Sequence, residues 1–300
     1  MKSYNQKIVI ENPDYSLFIK REDLLHPYIS GNKFRKLHFN VQKAKEEKHN
    51  TLLTFGGAFS NHILAVASAG YENNMKTIGI IRGEELQQKI AENPTLLKAQ
   101  EFGMVFEFVS RAVYRNKQDV DFIQTLQKRY GNFYLLPEGG TNNLAVKGCE
   151  AILEESDKEF DFICCAVGTG GTISGIVNSS KDGQQVLGFP ALKGDFLTED
   201  IRKFVNKSNW QLVTDYHFGG YAKTTEELIL FINEFYKKFQ VPLDPIYTGK
   251  MVFGVLDLIE KKAFPKGSKI LIIHSGGLQG VQGMNFLLKQ KNQIEIQIYD

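Results

Sequence analysis

Lys33, Arg35 and Lys36 fall in what reads as the first turn of a helix, within Ser30-Gly31-Asn32-Lys33-Phe34-Arg35-Lys36-Leu37. A helix N-terminus carries partial positive charge on its free N–H groups, so cations there cost stability unless an anion or a reaction calls for them. The same surroundings lower the pKa of a lysine shielded from water and raise the fraction of neutral amine able to attack a carbonyl. Lys33 is therefore a candidate Schiff-base lysine. The plain alternative is a solvated basic face on a surface helix.

Four glycine-rich junctions could supply the rest of a site. Val167-Gly168-Thr169-Gly170-Gly171-Thr172-Ile173-Ser174-Gly175 follows an apolar run and opens a helix. Its glycines let backbone N–H groups crowd round an anion, threonine hydroxyls add donors, and the helix start adds partial positive charge. It lacks the ending of a nucleoside-triphosphate loop and the spacing of a dinucleotide loop, so a phosphate monoester suits it better. Phe55-Gly56-Gly57-Ala58-Phe59-Ser60-Asn61-His62 reads as a carboxylate cradle, although Ser60 could be a plain helix N-cap. A serine hydrolase fits poorly, because Ser60 and His62 are two apart on a helix and no nucleophile-elbow spacing is present. Pro137-Glu138-Gly139-Gly140 and His274-Ser275-Gly276-Gly277 complete the set. Glu138 reads more readily as a surface carboxylate than as a cleft residue, and Ser275 matters only if its hydroxyl faces a ring nitrogen.

The elements that must position these residues alternate between short β-rich runs and longer helical ones, the pattern of an α/β protein with mostly parallel sheet. Strands are expected at 51–55, 77–81, 105–109, 133–136, 162–167, 185–188, 270–274 and 294–298. Helical stripes run through Phe34, Leu37, Val41 and Ala44, through Leu228, Phe231, Ile232, Phe235 and Phe239, and through Met251, Val255, Leu258 and Ile259, all taken as core-facing. Strand-end loops along one edge of a parallel sheet form the crevice where such proteins bind ligands, so the four junctions point to one shared site. Residues 38–146 are expected to form a smaller domain, with 1–37 and 147–300 building a larger one around it. With 36 basic and 34 acidic side chains the net charge is only +2, which gives no nucleic-acid footprint or electrostatic membrane anchor and suits a small zwitterionic partner. No segment approaches the ~20 apolar residues of a spanning helix, and a soluble cytoplasmic protein is expected. Cys149, Cys164 and Cys165 read as buried thiols rather than disulfides or metal ligands, and no metal site is expected.

In this order, and together with Ile19-Lys20-Arg21-Glu22-Asp23-Leu24 and Asp244-Pro245-Ile246-Tyr247-Thr248-Gly249-Lys250, the motifs resemble the pyridoxal-phosphate enzymes of the 1-aminocyclopropane-1-carboxylate deaminase and D-cysteine desulfhydrase family, of tryptophan synthase β-like fold type II. The resemblance spans most of the chain and fades between Arg82 and Tyr130. It implies two interleaved α/β domains, pyridoxal 5'-phosphate bound to Lys33, its phosphate in the loop Gly168, Thr169, Gly170, Gly171 and Thr172, and its phenolic oxygen on Asn61. It further implies a small amino-acid substrate whose carboxylate meets Ser60, Asn61 and His62, with Tyr247 and Tyr221 on the substrate side, and a homodimer.

Two positions bear on the reaction. In the cyclopropane-opening members a glutamate follows the tyrosine that matches Tyr247 and pairs with the pyridine nitrogen; here that residue is Thr248. In the desulfhydrases a hydroxyl from the turn matching Ser275 faces the nitrogen instead. A neutral hydroxyl leaves the nitrogen largely unprotonated and the electron sink weaker, which suits loss of a β-leaving group. The expectation is α,β-elimination of D-cysteine type, giving pyruvate, ammonia and sulfide. The alternatives are the cyclopropane deaminase, a non-catalytic protein that binds the same cofactor or another phosphate ligand, and, least favoured by glycine spacing, a nucleotide-binding enzyme.

Overall fold

Aliphatic and β-branched runs that stop at glycine set the architecture. In Thr51–Gly56 every residue is buried and in Phe162–Val167 all but the first, as parallel strands covered on both faces require. The computed structural model describes residues 3–194 and 196–298. Among these, one sheet joins β1 (Asn5–Ile8), β2 (Ser16–Lys20), β7 (Phe162–Val167), β8 (Gln185–Pro190), β9 (Trp210–Leu212) and β10 (Lys269–Ile273) in the order β1-β2-β10-β7-β8-β9. The other joins β3 (Thr51–Gly56), β4 (Lys76–Arg82), β5 (Met104–Val109) and β6 (Tyr134–Leu136) in the order β5-β4-β3-β6. Only β1 and β2 pair antiparallel among the described residues. The helices are α1 (Asn32–Glu46), α2 (Asn61–Glu72), α3 (Pro94–Glu101), α4 (Arg111–Arg115), α5 (Val120–Tyr130), α6 (Asn143–Glu150), α7 (Gly171–Ser179), α8 (Phe196–Arg202), α9 (Glu226–Phe239), α10 (Thr248–Glu260) and α11 (Gly280–Gln290).

The larger sheet is sandwiched. Cys164 and Ala166 of β7 pack with Leu228, Ile232 and Val255 of α9 and α10, while Ile163, Cys165 and Val167 on the opposite face pack with Ile173 and Ile176 of α7. Leu37 and Val41 of α1 join Ile63 and Val66 of α2 over the smaller sheet. The three thiols are free and buried, and burial pushes each upward, Cys149 to about 11, so all stay protonated and inert. No helix among the described residues is long and apolar enough to cross a membrane.

Three strands lie outside the sequence expectation: β1, β2 and the short edge strand β9. In the other direction, residues 294–298 form no strand although Ile296 and Ile298 are buried. Their backbone groups are satisfied by side-chain amides instead. Asn285 bonds both the N–H and the carbonyl of Ile296 at 2.8 and 2.9 Å, and Asn233 bonds the Glu295 carbonyl and the Gln297 N–H at 3.0 and 2.8 Å. Phe34 departs from its stripe: it is exposed and stacks loosely on His26 at 6.4 Å, while Leu37, Val41 and Ala44 are buried.

Candidate active site

Each of the four glycine junctions begins at the C-terminal end of a parallel strand, β3, β6, β7 or β10, and all four line one cavity of about 670 Å³ between the sheets. The start of α1 is sewn to the last junction. Gly31 has φ +58° and ψ −133°, a backbone open only to glycine, and a methyl there would fall 1.9 Å from the Ser275 carbonyl oxygen. The Asn32 N–H donates to that same carbonyl at 3.1 Å, and the Gly276 backbone in turn crosses against Ser30. Lys33 therefore projects into the cavity from a fixed helix end.

The three cations of α1 meet different fates. Arg35 turns back onto the buried carboxylate of Glu22 with two bonds of 2.9 and 3.0 Å. Lys36 is buried and donates to the Gly139 carbonyl at 3.1 Å and the Thr141 hydroxyl at 3.0 Å, with the Thr169 hydroxyl 3.5 Å away. Lys33 pairs with no carboxylate among the described residues. Burial and then the neighbouring Lys36 charge hold its ammonium down to about 7, so a large share is neutral amine at physiological pH. The Lys20-Arg21-Glu22-Asp23 segment supports this arrangement through pairs of its own, Lys20 with Asp157 at 2.8 Å and Arg21 with Asp23 at 2.8 Å.

At the phosphate-type loop, Gly170 takes φ +82° as the N-cap of α7, and the Thr172 hydroxyl accepts from Asn32 Nδ2 at 2.8 Å. A methyl on Gly171 would meet the Thr141 hydroxyl at 2.7 Å and Lys36 Nζ at 3.2 Å. The free amides of the α7 N-terminus and the Lys36 ammonium thus converge on one spot, a site for a doubly charged anion. Lys36 stood in the sequence as one of three cations; its spacing of three from Lys33, which places both on one helix face, was the signal for its role.

At the start of α2, Ser60 occupies the N-cap position but makes no capping bond, which leaves its hydroxyl free toward the cavity. Asn61 donates from Nδ2 to the Gly277 carbonyl at 3.3 Å, and its Oδ1 is buried without a partner. His62 requires a correction. The Thr54 hydroxyl donates to the Leu136 carbonyl at 3.0 Å, so it accepts from His62 Nε2 at 2.9 Å and fixes the proton there. Burial, reinforced by the Lys33 and Lys36 charges, keeps the imidazole neutral, with its pKa well below the usual value. Nδ1, buried and unpartnered beside Gly140, is then an acceptor and cannot donate to a substrate carboxylate.

On the opposite wall, Tyr247 lies against Gly168, where an added methyl would sit 3.2 Å from its hydroxyl, and Tyr221 meets its ring edge-on at 6.2 Å. Burial raises the Tyr247 phenol well above the usual range, and desolvation at the cavity wall raises that of the partly exposed Tyr221 as well, so each enters as a proton donor in the neutral form. Asp244, part of the motif quoted above but given no role there, positions Tyr247: its carboxylate accepts from the N–H groups of Ile246, Tyr247 and Thr248 at 2.8–2.9 Å and from the Thr248 hydroxyl at 2.7 Å. That last bond commits Thr248, which is fully buried and off the cavity wall, whereas Ser275 lines it. Lys250, one turn along α10, holds the loop that carries Tyr221 by donating to the His217 and Gly220 carbonyls at 2.8 Å each. Glu138 also lines the cavity while its side chain stays partly exposed, in keeping with its reading as a surface carboxylate, and is held by Tyr114 at 2.8 Å and Lys117 at 3.2 Å.

A desolvated lysine, an anion cradle at a helix start, a buried amide oxygen without a partner and paired phenols, all at the strand ends of two parallel sheets, define an enzyme that holds a phosphorylated aldehyde on an amine. The chain belongs to the pyridoxal-phosphate dependent enzyme family, whose model matches residues 8–276. It is 28% identical over 296 residues to a Thermotoga maritima protein named putative 1-aminocyclopropane-1-carboxylate deaminase, covering 92% of this chain and 93% of that one. It is 31% identical over 302 residues to the bifunctional D-cysteine desulfhydrase/1-aminocyclopropane-1-carboxylate deaminase, mitochondrial, of Arabidopsis thaliana, covering 88% of this chain and 73% of the relative. Among solved structures, an ACC deaminase homologue superposes with a TM-score of 0.82 at 25% identity, covering 97% of this chain and 93% of its own. A hydrogen sulfide-producing enzyme from Fusobacterium nucleatum shares the fold, with a TM-score of 0.68 at 16% identity, covering 91% of this chain and 93% of its own. The fold is therefore the tryptophan synthase β-like fold type II, and the cofactor is pyridoxal 5'-phosphate.

Proposed function

We propose that this enzyme carries out α,β-elimination on a small amino acid of D-cysteine type, converting it with water to pyruvate, ammonia and hydrogen sulfide. The residues present fit the cofactor: Lys33 is the amine for its aldehyde, the α7 start with Lys36 holds its phosphate, and the unpartnered amide of Asn61 meets its phenolic oxygen. When bound, pyridoxal phosphate supplies an electron sink for charge developed at the substrate's α-carbon. Lys33, neutral over a useful range of pH, takes the α-proton. Ser60, Asn61 and the amides of the α2 start hold the carboxylate, while Tyr247, assisted by Tyr221, delivers a proton toward the leaving group. His62 contributes an acceptor and no charge.

The observation that carries this reading is the contrast between two hydroxyls. Thr248 is locked onto Asp244 away from the cavity, and Ser275 lines it, so the position that holds a carboxylate in cyclopropane-opening members offers none here. The deaminase is the second reading, favoured by the paired activities in the Arabidopsis relative's name. Product analysis separates them: pyruvate with sulfide from D-cysteine is expected, 2-oxobutanoate from 1-aminocyclopropane-1-carboxylate would favour the second, and inactivity toward both would contradict each. A homodimer, implied by the family resemblance, and a cytoplasmic location, expected from the sequence composition, are part of the same proposal and are read by light scattering and fractionation.

A further inference from the structure

The charged groups that line the cavity are Lys33, Lys36, Arg82, Arg111, Glu138 and Asp200. Arg111 pairs with Glu85 at 2.6 Å, Asp200 with Lys203 at 2.6 Å and Glu138 with Lys117 at 3.2 Å. Lys36 is held by the Gly139 carbonyl and Thr141, and Lys33 has its place on the cofactor. Arg82, exposed to solvent as well as lining the cavity, is left over: no carboxylate lies within ion-pair distance of it among the described residues. It is the last residue of β4, whose Ile81 stands opposite Gly56 of β3, so it emerges at the same sheet edge as the α2 cradle. Its Nη2 lies 3.7 Å from where a Gly57 side chain would begin, and its Cζ stands 5.7 Å from the centre of the Tyr114 ring, which steadies it. A guanidinium stays charged at every working pH and offers a planar fork of donors matched to a carboxylate or similar oxyanion.

We propose that Arg82 receives an anionic group at the far end of an S-substituted side chain, so that among amino acids longer than D-cysteine this cavity prefers those with a terminal carboxylate or related oxyanion, their substituent leaving as the corresponding thiol in place of hydrogen sulfide. The inference rests on the reading that the cavity handles an amino acid on pyridoxal phosphate. The α-carboxylate occupies the Ser60 and Asn61 cradle, the β-leaving atom sits between that cradle and the tyrosines, and the distal anion reaches the end of β4.

Two matched pairs test it on the holoenzyme, in both enantiomers. S-Carboxymethylcysteine and S-carbamoylmethylcysteine break the same Cβ–S bond and differ only in distal charge. Glutamate and glutamine, which lack a β-leaving group, report binding alone by calorimetry. A charge-assisted bond predicts a preference for the carboxylate member of about 10- to 100-fold in kcat/KM and in Kd. Arg82→Gln should bring both ratios to about 1, and Arg82→Lys should restore part of each. Ratios near 1 in the native protein, or an equal loss of both members in Arg82→Gln, would overturn the proposal, the second by placing Arg82 on the α-carboxylate. Failure of borohydride to label Lys33 would remove the cofactor assignment, and the glutamate against glutamine comparison would still decide the role of Arg82.

Discussion

At the floor of the cavity, Gly31, Gly139, Gly171 and Gly276 let chain segments approach so closely that an added methyl would fall 1.9–2.7 Å from its neighbour, whereas at the rim Arg111 and Glu138 stand on ion pairs with partly exposed partners. The floor is fixed by backbone contact and buried hydrogen bonds. The rim is fixed by side chains that water can reach, where each pair contributes about 1 kcal/mol or less. A family can therefore keep one cofactor floor and change its rim, which separates what all members share from what distinguishes their substrates.

Gly31→Ala should widen that contrast most. The left-handed backbone and the contact with the Ser275 carbonyl together cost at least about 3 kcal/mol in denaturant unfolding, and any folded fraction should bind the cofactor weakly because the start of α1 has moved. A near-native stability would mean that the crossing of Gly31 and Ser275 does not set the site. Smaller in effect is Lys36→Met, expected to weaken pyridoxal phosphate about 10- to 100-fold in an absorbance titration, the loss of one charge-assisted phosphate contact. The same substitution at the rim, Lys117→Met, should change that affinity less than about threefold. Similar losses for the two lysines would erase the distinction between floor and rim.

The floor was legible in the sequence because glycine types it. The runs at Gly168 to Gly171, Gly139-Gly140 and Gly276-Gly277 each follow an apolar strand, and only close approach or left-handed backbone explains such spending of chain entropy. Lys33 was legible through its position in a helix start. The rim was not, because Arg82, Glu138 and Lys117 acquire meaning only from partners that the sheet brings together. His62 was misassigned for the same reason: its proton is fixed by a Thr54 hydroxyl already committed to Leu136, across the pairing of β3 with β6. Residues 294–298 misled by alternation, since Asn233 and Asn285 satisfy a backbone that the pattern alone assigned to a sheet. Strand β9, at three residues, is too short to show a period, and β1 is both short and polar.

Borohydride reduction of the protein with pyridoxal phosphate across about pH 6 to 9, followed by mass mapping of the labelled peptide, addresses the central assignment most directly. The label should fall on Lys33, with a yield that climbs as the amine loses its proton through about 7 and then levels off. Label on Lys36, or a yield that keeps climbing toward the pKa of an ordinary exposed lysine, would contradict it.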